Sequence, residues 1–231
     1  MFSGLVREIA QVKNFANNTL EVFTPYKAKL GDSIAINGAC LTAVSFFSGG
    51  MAMELSKHTQ EHIALENYAQ GAFVHLEPAL QVGDRFDGHI VQGHIDSIGR
   101  ITRIEHNADS SDFWIQAPAQ SLLCIIPKGS VCVEGISLTI VERINDSFKL
   151  TIIPHTLQNT LFGRFEVGRR VNIETDVITR SVVSTLQFLD SQHLQNLGIL
   201  AQNGNGANSS HRNNCLGNVS WGDIDAQSLS Y

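Results

Sequence analysis

The sequence predicts an all-β chain of two tandem antiparallel barrels closed by a helix, and three observations carry that reading. The first is a duplication. Gly38-Ala39-Cys40-Leu41-Thr42 returns as Gly135-Ile136-Ser137-Leu138-Thr139, and one constant shift of 97 residues carries His58-Thr59 onto His155-Thr156, Gly71 onto Gly168, Val74 onto Val171 and Glu77 onto Glu174 without a gap. A solenoid repeats every few tens of residues, so a period this long is that of a whole domain written twice. The second is the density of short alternating runs between turn residues, roughly six per copy, which points to small closed barrels because closure removes exposed sheet edges. The third is a change of period after Glu174, where apolar residues begin to recur every three or four positions, as on one face of a helix.

Taken in order, Thr19-Leu20-Glu21-Val22-Phe23 and Ser33 to Gly38 alternate as strands, and Gly49-Gly50 signals a hairpin before the alternating run Met51 to Leu55. Ser56 to Asn67 reads as a short helix. Phe73 to Glu77 is the closing strand, and Val82-Gly83-Asp84 is a turn. The second copy opens at Gly88-His89-Ile90-Val91-Gln92-Gly93-His94-Ile95-Asp96, whose Val91 to Ile95 echoes Phe2 to Val6 at a shift of 89, so each copy is expected to begin with a strand interrupted by glycine. Phe113 to Ile115, Ser130 to Val133, Ser137 to Glu142, Phe148 to Ile153 and Arg170 to Glu174 follow as strands. Interior glycines such as Gly4, Gly38, Gly93 and Gly135 mark bends or close approach of a ligand to backbone. Thr175 or Asp176 can cap the helix that carries Val182, Val183, Leu186, Leu189, Leu194, Leu197 and Leu200. The expected division is therefore residues 1–87 and 88–176 for the two barrels, 177–202 for the helix and 203–231 for a polar Asn-, Gly- and Ser-rich tail.

Composition narrows the function classes. A net charge of −6 gives no basic footprint for nucleic acid. No apolar run approaches the roughly 18 residues of a membrane span, and Met1 to Glu8 has no secretory pattern. The four cysteines, Cys40, Cys124, Cys132 and Cys215, form neither a C-x-x-C pair nor a close framework, which suits free thiols in a reducing, cytoplasmic setting.

A duplicated barrel offers two similar pockets, which suits two copies of one ligand or two closely related ligands. Cys40 and Ser137 stand at equivalent turns, with Thr42 and Thr139 two residues on and on the same strand face. His58-Thr59 and His155-Thr156 add polar groups at equivalent places, a set that suits a polar heterocycle or a sugar alcohol.

These motifs, from Met1-Phe2-Ser3-Gly4-Leu5-Val6 through Gly88 to Asp96, Lys128-Gly129-Ser130, Gly135 to Thr139 and Ile153-Pro154-His155-Thr156, resemble the riboflavin synthase alpha chain family from Met1 to about Leu200. The resemblance implies Greek-key topology in both six-stranded barrels, a C-terminal helix that assembles a homotrimer, and dismutation of 6,7-dimethyl-8-ribityllumazine to riboflavin and 5-amino-6-(ribitylamino)uracil. It implies no metal or redox cofactor, since conjugation already makes the 7-methyl group of the substrate acidic. A complex with lumazine synthase is left open.

By motif, the resemblance implies a first lumazine against Gly4, Leu5, Val6, Cys40, Leu41, Thr42 and the segment Glu54, Leu55, Ser56, Lys57, His58 and Thr59. A second lies against Gly93, His94, Ile95, Ser137, Leu138, Thr139 and the segment Thr151, Ile152, Ile153, Pro154, His155 and Thr156, with Lys128 reaching across from another subunit. Ser137, Cys40 and His94 are the expected helpers of addition and proton transfer, with Thr139 and Phe2 shaping the site. His89 reads as a packing or hydrogen-bonding residue. Glu134 stands where many relatives have Asp, and His58 and Ile63 depart from the usual Glu and Thr.

Two other readings compete. A non-catalytic lumazine- or flavin-binding protein shares the fold but tends to have one degraded pocket, whereas here Cys40 and Thr42 in one copy and Lys128, Ser137, Thr139, His155, Thr156 and Thr160 in the other are present. His58, Glu61 and His62 also fit the H-x-x-E-H zinc-protease pattern. The second copy keeps neither the Glu nor the second His, and the surroundings are rich in strands.

Overall fold

The computed structural model describes residues 1–189. Six strands, β1 (Glu8–Ala16), β2 (Thr19–Phe23), β3 (Ser33–Ile36), β4 (Ala39–Phe47), β5 (Gly50–Glu54) and β6 (Phe73–Pro78), close in the order β1-β2-β5-β4-β3-β6, all antiparallel. The second barrel repeats that circuit with β7 (Ser97–His106), β8 (Ser111–Gln116), β9 (Ser130–Val133), β10 (Ile136–Ile144), β11 (Ser147–Ile152) and β12 (Arg170–Thr175). Even the bulges are copied: the register slips between Val12 and Asn14 and again between Ile101 and Arg103, and between Ala43 and Ser45 as between Ile140 and Glu142. A bulge bends its strand and raises the local twist, which a six-stranded circuit needs in order to close.

Each barrel fills with its own alternating face. Val12, Leu20, Val22, Ile34, Ile36, Met53 and Leu76 are among the buried side chains of the first, and Ile101, Phe113, Ile115, Val133, Phe148 and Ile173 of the second. The hairpins follow from the turn residues: Asn37-Gly38 and Glu134-Gly135 take the paired positive φ of a two-residue turn, at 45° and 84° and at 50° and 82°. Short helices α1 (Lys57–His62), α2 (Ala119–Leu122) and α3 (Pro154–Asn159) fill gaps between strands, and α4 (Val177–Phe188) follows β12. The Asp176 carboxylate accepts the Ile178 and Thr179 N–H groups and so caps α4.

The expected Ser56 to Asn67 helix is two pieces, α1 and a single 3-10 turn at Leu65–Tyr68. The strands expected to open each copy are absent as strands: Phe2 and Val91 make one isolated antiparallel bridge, and the first barrel strand begins at Glu8 or Ser97. Among the described residues no helix is long and apolar enough to cross a membrane. The rest of the expected helix, 190–202, with Leu194, Leu197 and Leu200, and the tail 203–231 with Cys215, lie outside the described residues.

A buried polar clasp joins the barrels, and it too obeys the 97-residue shift. The His75 Nε2 accepts the Leu161 N–H at 2.8 Å, so its Nδ1 carries the proton and donates to the Glu134 carbonyl at 2.8 Å. On the other side of the pseudo-twofold, Asn172 Oδ1 accepts the Ala64 N–H at 2.7 Å and its Nδ2 donates to the Asn37 carbonyl at 3.0 Å. An imidazole in one fixed tautomer and an amide thus present the same acceptor and donor to equivalent groups.

Burial lowers the His75 pKa from 6.5 to about 4, while burial raises Glu134 to about 7. The signs oppose. His75 contributes fully above pH 6.5, and its contribution is lost as pH falls toward 4, because the unfolded chain takes up the proton first. Glu134 contributes most below pH 4.5 and loses its contribution as pH rises through about 7. His75→Asn isolates the first term by copying the bonding of Asn172. Relative to wild type, this variant should gain about 2 kcal/mol of unfolding free energy between pH 7 and pH 4.5 in urea titrations. An unchanged difference would mean that His75 is not held neutral.

Candidate functional site

Two segments that precede the barrels build the site. Phe2 and Val91 pair on the pseudo-twofold, the Phe2 N–H donating to the Val91 carbonyl at 2.7 Å and the Val91 N–H returning to the Phe2 carbonyl at 3.1 Å. From there each segment crosses to the other barrel. The Gly4 carbonyl accepts the Ser137 N–H at 2.8 Å, and the Gly93 carbonyl accepts the Cys40 N–H at 2.8 Å. Val6 packs on the second core and Ile95 on the first. The expected grouping is therefore exchanged: Gly93, His94 and Ile95 stand with Cys40, and Gly4, Leu5 and Val6 belong to the side of Ser137.

Both crossings need glycine for a steric reason. Gly4 and Gly93 have φ of 76° and 82°, and a Cβ would sit 2.6 Å from the Ser137 Cβ in one case and 2.4 Å from the Cys40 Cβ in the other. Two buried carboxylates hold the segments down. Glu77 accepts the Ser3 N–H at 2.8 Å, the Ser3 hydroxyl at 2.9 Å and the Gly4 N–H at 3.1 Å. Glu174, its counterpart, accepts the N–H groups of Gln92 at 2.7 Å, Gly93 at 2.9 Å and His94 at 3.1 Å. These bonds use the N–H groups that a strand ladder would have taken, which is why neither segment is a strand.

In the first barrel the result is a cavity of about 280 Å³ lined by Ala39, Cys40, His58, Thr59, His62, Ile63, Gly93, His94 and Ile95. Ser56 caps α1 by accepting the Thr59 N–H at 3.0 Å, which fixes the turn that carries His58 and Thr59. At the equivalent place in the second barrel, Ser137 Oγ lies 2.7 Å from His89 Nδ1, while His89 Nε2 is buried without a hydrogen-bond partner among the described residues. Burial lowers the His89 pKa, partly offset by the negative charge of Asp176, so a neutral imidazole faces the hydroxyl near neutral pH. That is the geometry of a proton-transfer pair.

His89 is thus the group that sequence reasoning passed over in favour of His94, which lies in the cavity beside Cys40. Ser137, the partner of His89, lies 48 residues further along the chain, a contact that local pattern does not signal. His62 and Ile63 also join the cavity from sequence positions next to the flagged His58-Thr59 pair.

The remaining expected residues divide by environment. Leu41, Leu55 and Ile152 are buried in the barrel cores, and Phe2 is fully buried on the axis. Leu138 is half-buried against the second core, and Thr42 and Thr139 are exposed on their strands. Thr151 Oγ1 donates to Asp112 at 2.6 Å, which commits that hydroxyl to the barrel wall. Ile153, Pro154 and His155 are exposed at the start of α3, with Thr156 half-buried behind them. Glu54 and Lys57 are exposed, and Lys128 is an exposed residue at φ 68° whose N–H donates to the Ile140 carbonyl at 2.7 Å.

The H-x-x-E-H pattern does not assemble a zinc set. The His58 and His62 rings stack at 4.2 Å, His62 Nδ1 is bonded to the His58 carbonyl, and Glu61 pairs with Lys57 at 3.9 Å. Among the described residues no three metal-capable side chains converge.

The lumazine binding domain family matches residues 3–79 and 92–176. The riboflavin synthase of Photobacterium phosphoreum is 34% identical over 215 residues, covering 88% of this chain and 99% of its own. That of Bacillus subtilis (strain 168) is 30% identical over 214 residues, covering 88% and 100%. Among solved structures, LumP complexed with 6,7-dimethyl-8-(1'-D-ribityl) lumazine superposes with a TM-score of 0.67 at 20% identity, over 76% of this chain and 99% of that one. LumP complexed with riboflavin gives 0.69 at the same identity and coverage.

Gly93→Ala should lose about 3 kcal/mol of unfolding free energy, the sum of a left-handed backbone penalty and an overpacked contact. Gly71→Ala, at φ 84° with open space around the added carbon, should lose about 1 kcal/mol. Equal losses in urea unfolding would contradict the close approach of Gly93 to Cys40.

Proposed function

The chain belongs to the lumazine-binding family that includes the riboflavin synthases, and from that membership we propose that it converts two molecules of 6,7-dimethyl-8-ribityllumazine into riboflavin and 5-amino-6-(ribitylamino)uracil. It is a transferase that moves a four-carbon unit from one molecule to an identical second one. Such a reaction calls for two related pockets, because orienting two copies of one substrate removes much of the entropic part of the barrier. Residues 1–87 and 88–176 are the two lumazine-binding units of this proposal.

The observation that carries it is the Ser137–His89 contact at 2.7 Å. A neutral His89 takes a proton through the Ser137 hydroxyl from the acidic 7-methyl group of a bound lumazine and returns one as the products separate. The equivalent place in the first barrel holds Cys40 with His58, His62 and His94 in the same cavity. The two sites therefore divide the work: proton transfer belongs to the Ser137 side, and the Cys40 cavity holds the partner substrate.

A homotrimer is part of the proposal. On α4, Ile178, Val182 and Leu186 are 63%, 54% and 63% exposed along one face, a surface suited to a second copy. Arg180 anchors the same helix to Asp96 and, at 2.7 Å, to Gln92. The free thiols of Cys40, Cys124 and Cys132 fit the cytoplasm as the place of action.

Mixing the purified chain with 6,7-dimethyl-8-ribityllumazine should consume two molecules per riboflavin formed. Ser137→Ala should lower kcat by 10²- to 10³-fold. Binding without riboflavin would contradict the synthase reading and support a ligand carrier. Separately, Leu186→Glu should convert a trimer to monomers in sedimentation while leaving Arg180 in place; a wild-type monomer would sink the assembly proposal.

A further inference from the structure

Glu77 and Glu174 are nearly unexposed, at 3% and 1%, and stand at equivalent positions of β6 and β12. A carboxylate sunk this deeply is unfavourable unless its oxygens are fully used. Here each accepts three hydrogen bonds, and every donor lies in a segment that leaves for the opposite barrel. Glu77 fixes Ser3 and Gly4, whose chain ends on the Ser137 N–H. Glu174 fixes Gln92, Gly93 and His94, whose chain ends on the Cys40 N–H and lines the Cys40 cavity.

Resting on the synthase reading, we propose that Glu77 and Glu174 are positioning residues that act crosswise: Glu174 of the second barrel sets the ligand site of the first, and Glu77 of the first barrel sets the Ser137 side of the second. A carboxylate suits this role where an amide does not. Both oxygens of Glu174 face backbone N–H donors, and a glutamine would aim its own NH₂ at one of them, losing an acceptor and adding a repulsion between donors. The released segment would then draw the Gly93 carbonyl off Cys40 and open the cavity. Charged groups near Glu174 are Asp96 and Arg180, which pair with each other.

The crosswise pattern separates this role from simple support of the fold. Among the described residues Cys40 is the half-buried thiol and lines the cavity, whereas Cys124 and Cys132 are buried, and alkylation is read on the peptide that carries Cys40 so that Cys215 does not contribute. Protection of Cys40 from iodoacetamide by 6,7-dimethyl-8-ribityllumazine therefore reports on the first site alone, and fluorescence titration of the same lumazine reports on both. Glu174→Gln should need at least tenfold more lumazine to protect Cys40. Glu77→Gln should protect Cys40 as wild type does while losing affinity at the other binding step and lowering kcat more than it changes KM. Should Glu174→Gln not fold, Glu174→Asp, which keeps both oxygens but withdraws them by one methylene, carries the same measurement.

Equal weakening of both sites by both variants, in step with their melting temperatures, would overturn the proposal, as would effects confined to the barrel that carries the substitution. Riboflavin formation by wild type is scored separately. Its absence would contradict the synthase reading, while Cys40 protection would still decide the crosswise role.

Discussion

Everything distinctive in this molecule depends on the exchange of two short segments across one pseudo-twofold axis. Phe2 and Val91 bridge on that axis, and beyond it the Gly4 carbonyl takes the Ser137 N–H while the Gly93 carbonyl takes the Cys40 N–H. Each barrel's Cys40 or Ser137 turn is thus met by the segment that leads into the other barrel. The constraint explains the two left-handed glycines, since any Cβ would strike the residue being contacted, and it explains two carboxylates that would otherwise be costly to bury. It also explains why the His75 and Asn172 clasp must be rigid, because the barrels have to hold a fixed relation for both crossings to close together.

Duplication followed by divergence fits a reaction between two copies of one molecule. The frame stays symmetric: bulges, hairpin turns, clasp bonds and segment carboxylates recur at constant shifts. The chemistry is not symmetric. Ser137 has His89 at hydrogen-bond distance, whereas Cys40 shares its cavity with His58, His62 and His94. One substrate must give up its four-carbon unit and the other receive it, and two different environments in one repeated frame let identical molecules take different roles.

Much of this was legible in the residues. The 97-residue shift located both copies of the Gly-x-Cys/Ser-Leu-Thr turn and the closing strands at Glu77 and Glu174, because turns and alternating faces are local properties that a repeat doubles. Asp176 announced the start of α4 in the same way. What could not be read was contact between distant segments. Phe2 to Val6 alternates like a strand, yet its Ser3 and Gly4 N–H groups go to Glu77, seventy-odd residues away. For the same reason each crossing segment was expected beside its own barrel, since neighbours in sequence are the default neighbours in space. His89 was missed because its contact with Ser137 joins positions 48 residues apart, and the buried Glu77 and Glu174 look in the sequence like ordinary strand residues.

The most direct test of the crossed architecture is a crystal structure of the chain with 6,7-dimethyl-8-ribityllumazine bound. The exchange predicts one ring system in contact with both Cys40 and Gly93 to Ile95, and a second in contact with both Ser137 and Gly4 to Val6. A lumazine that touches Cys40 together with Gly4 to Val6, with Gly93 to Ile95 turned toward Ser137, would contradict it.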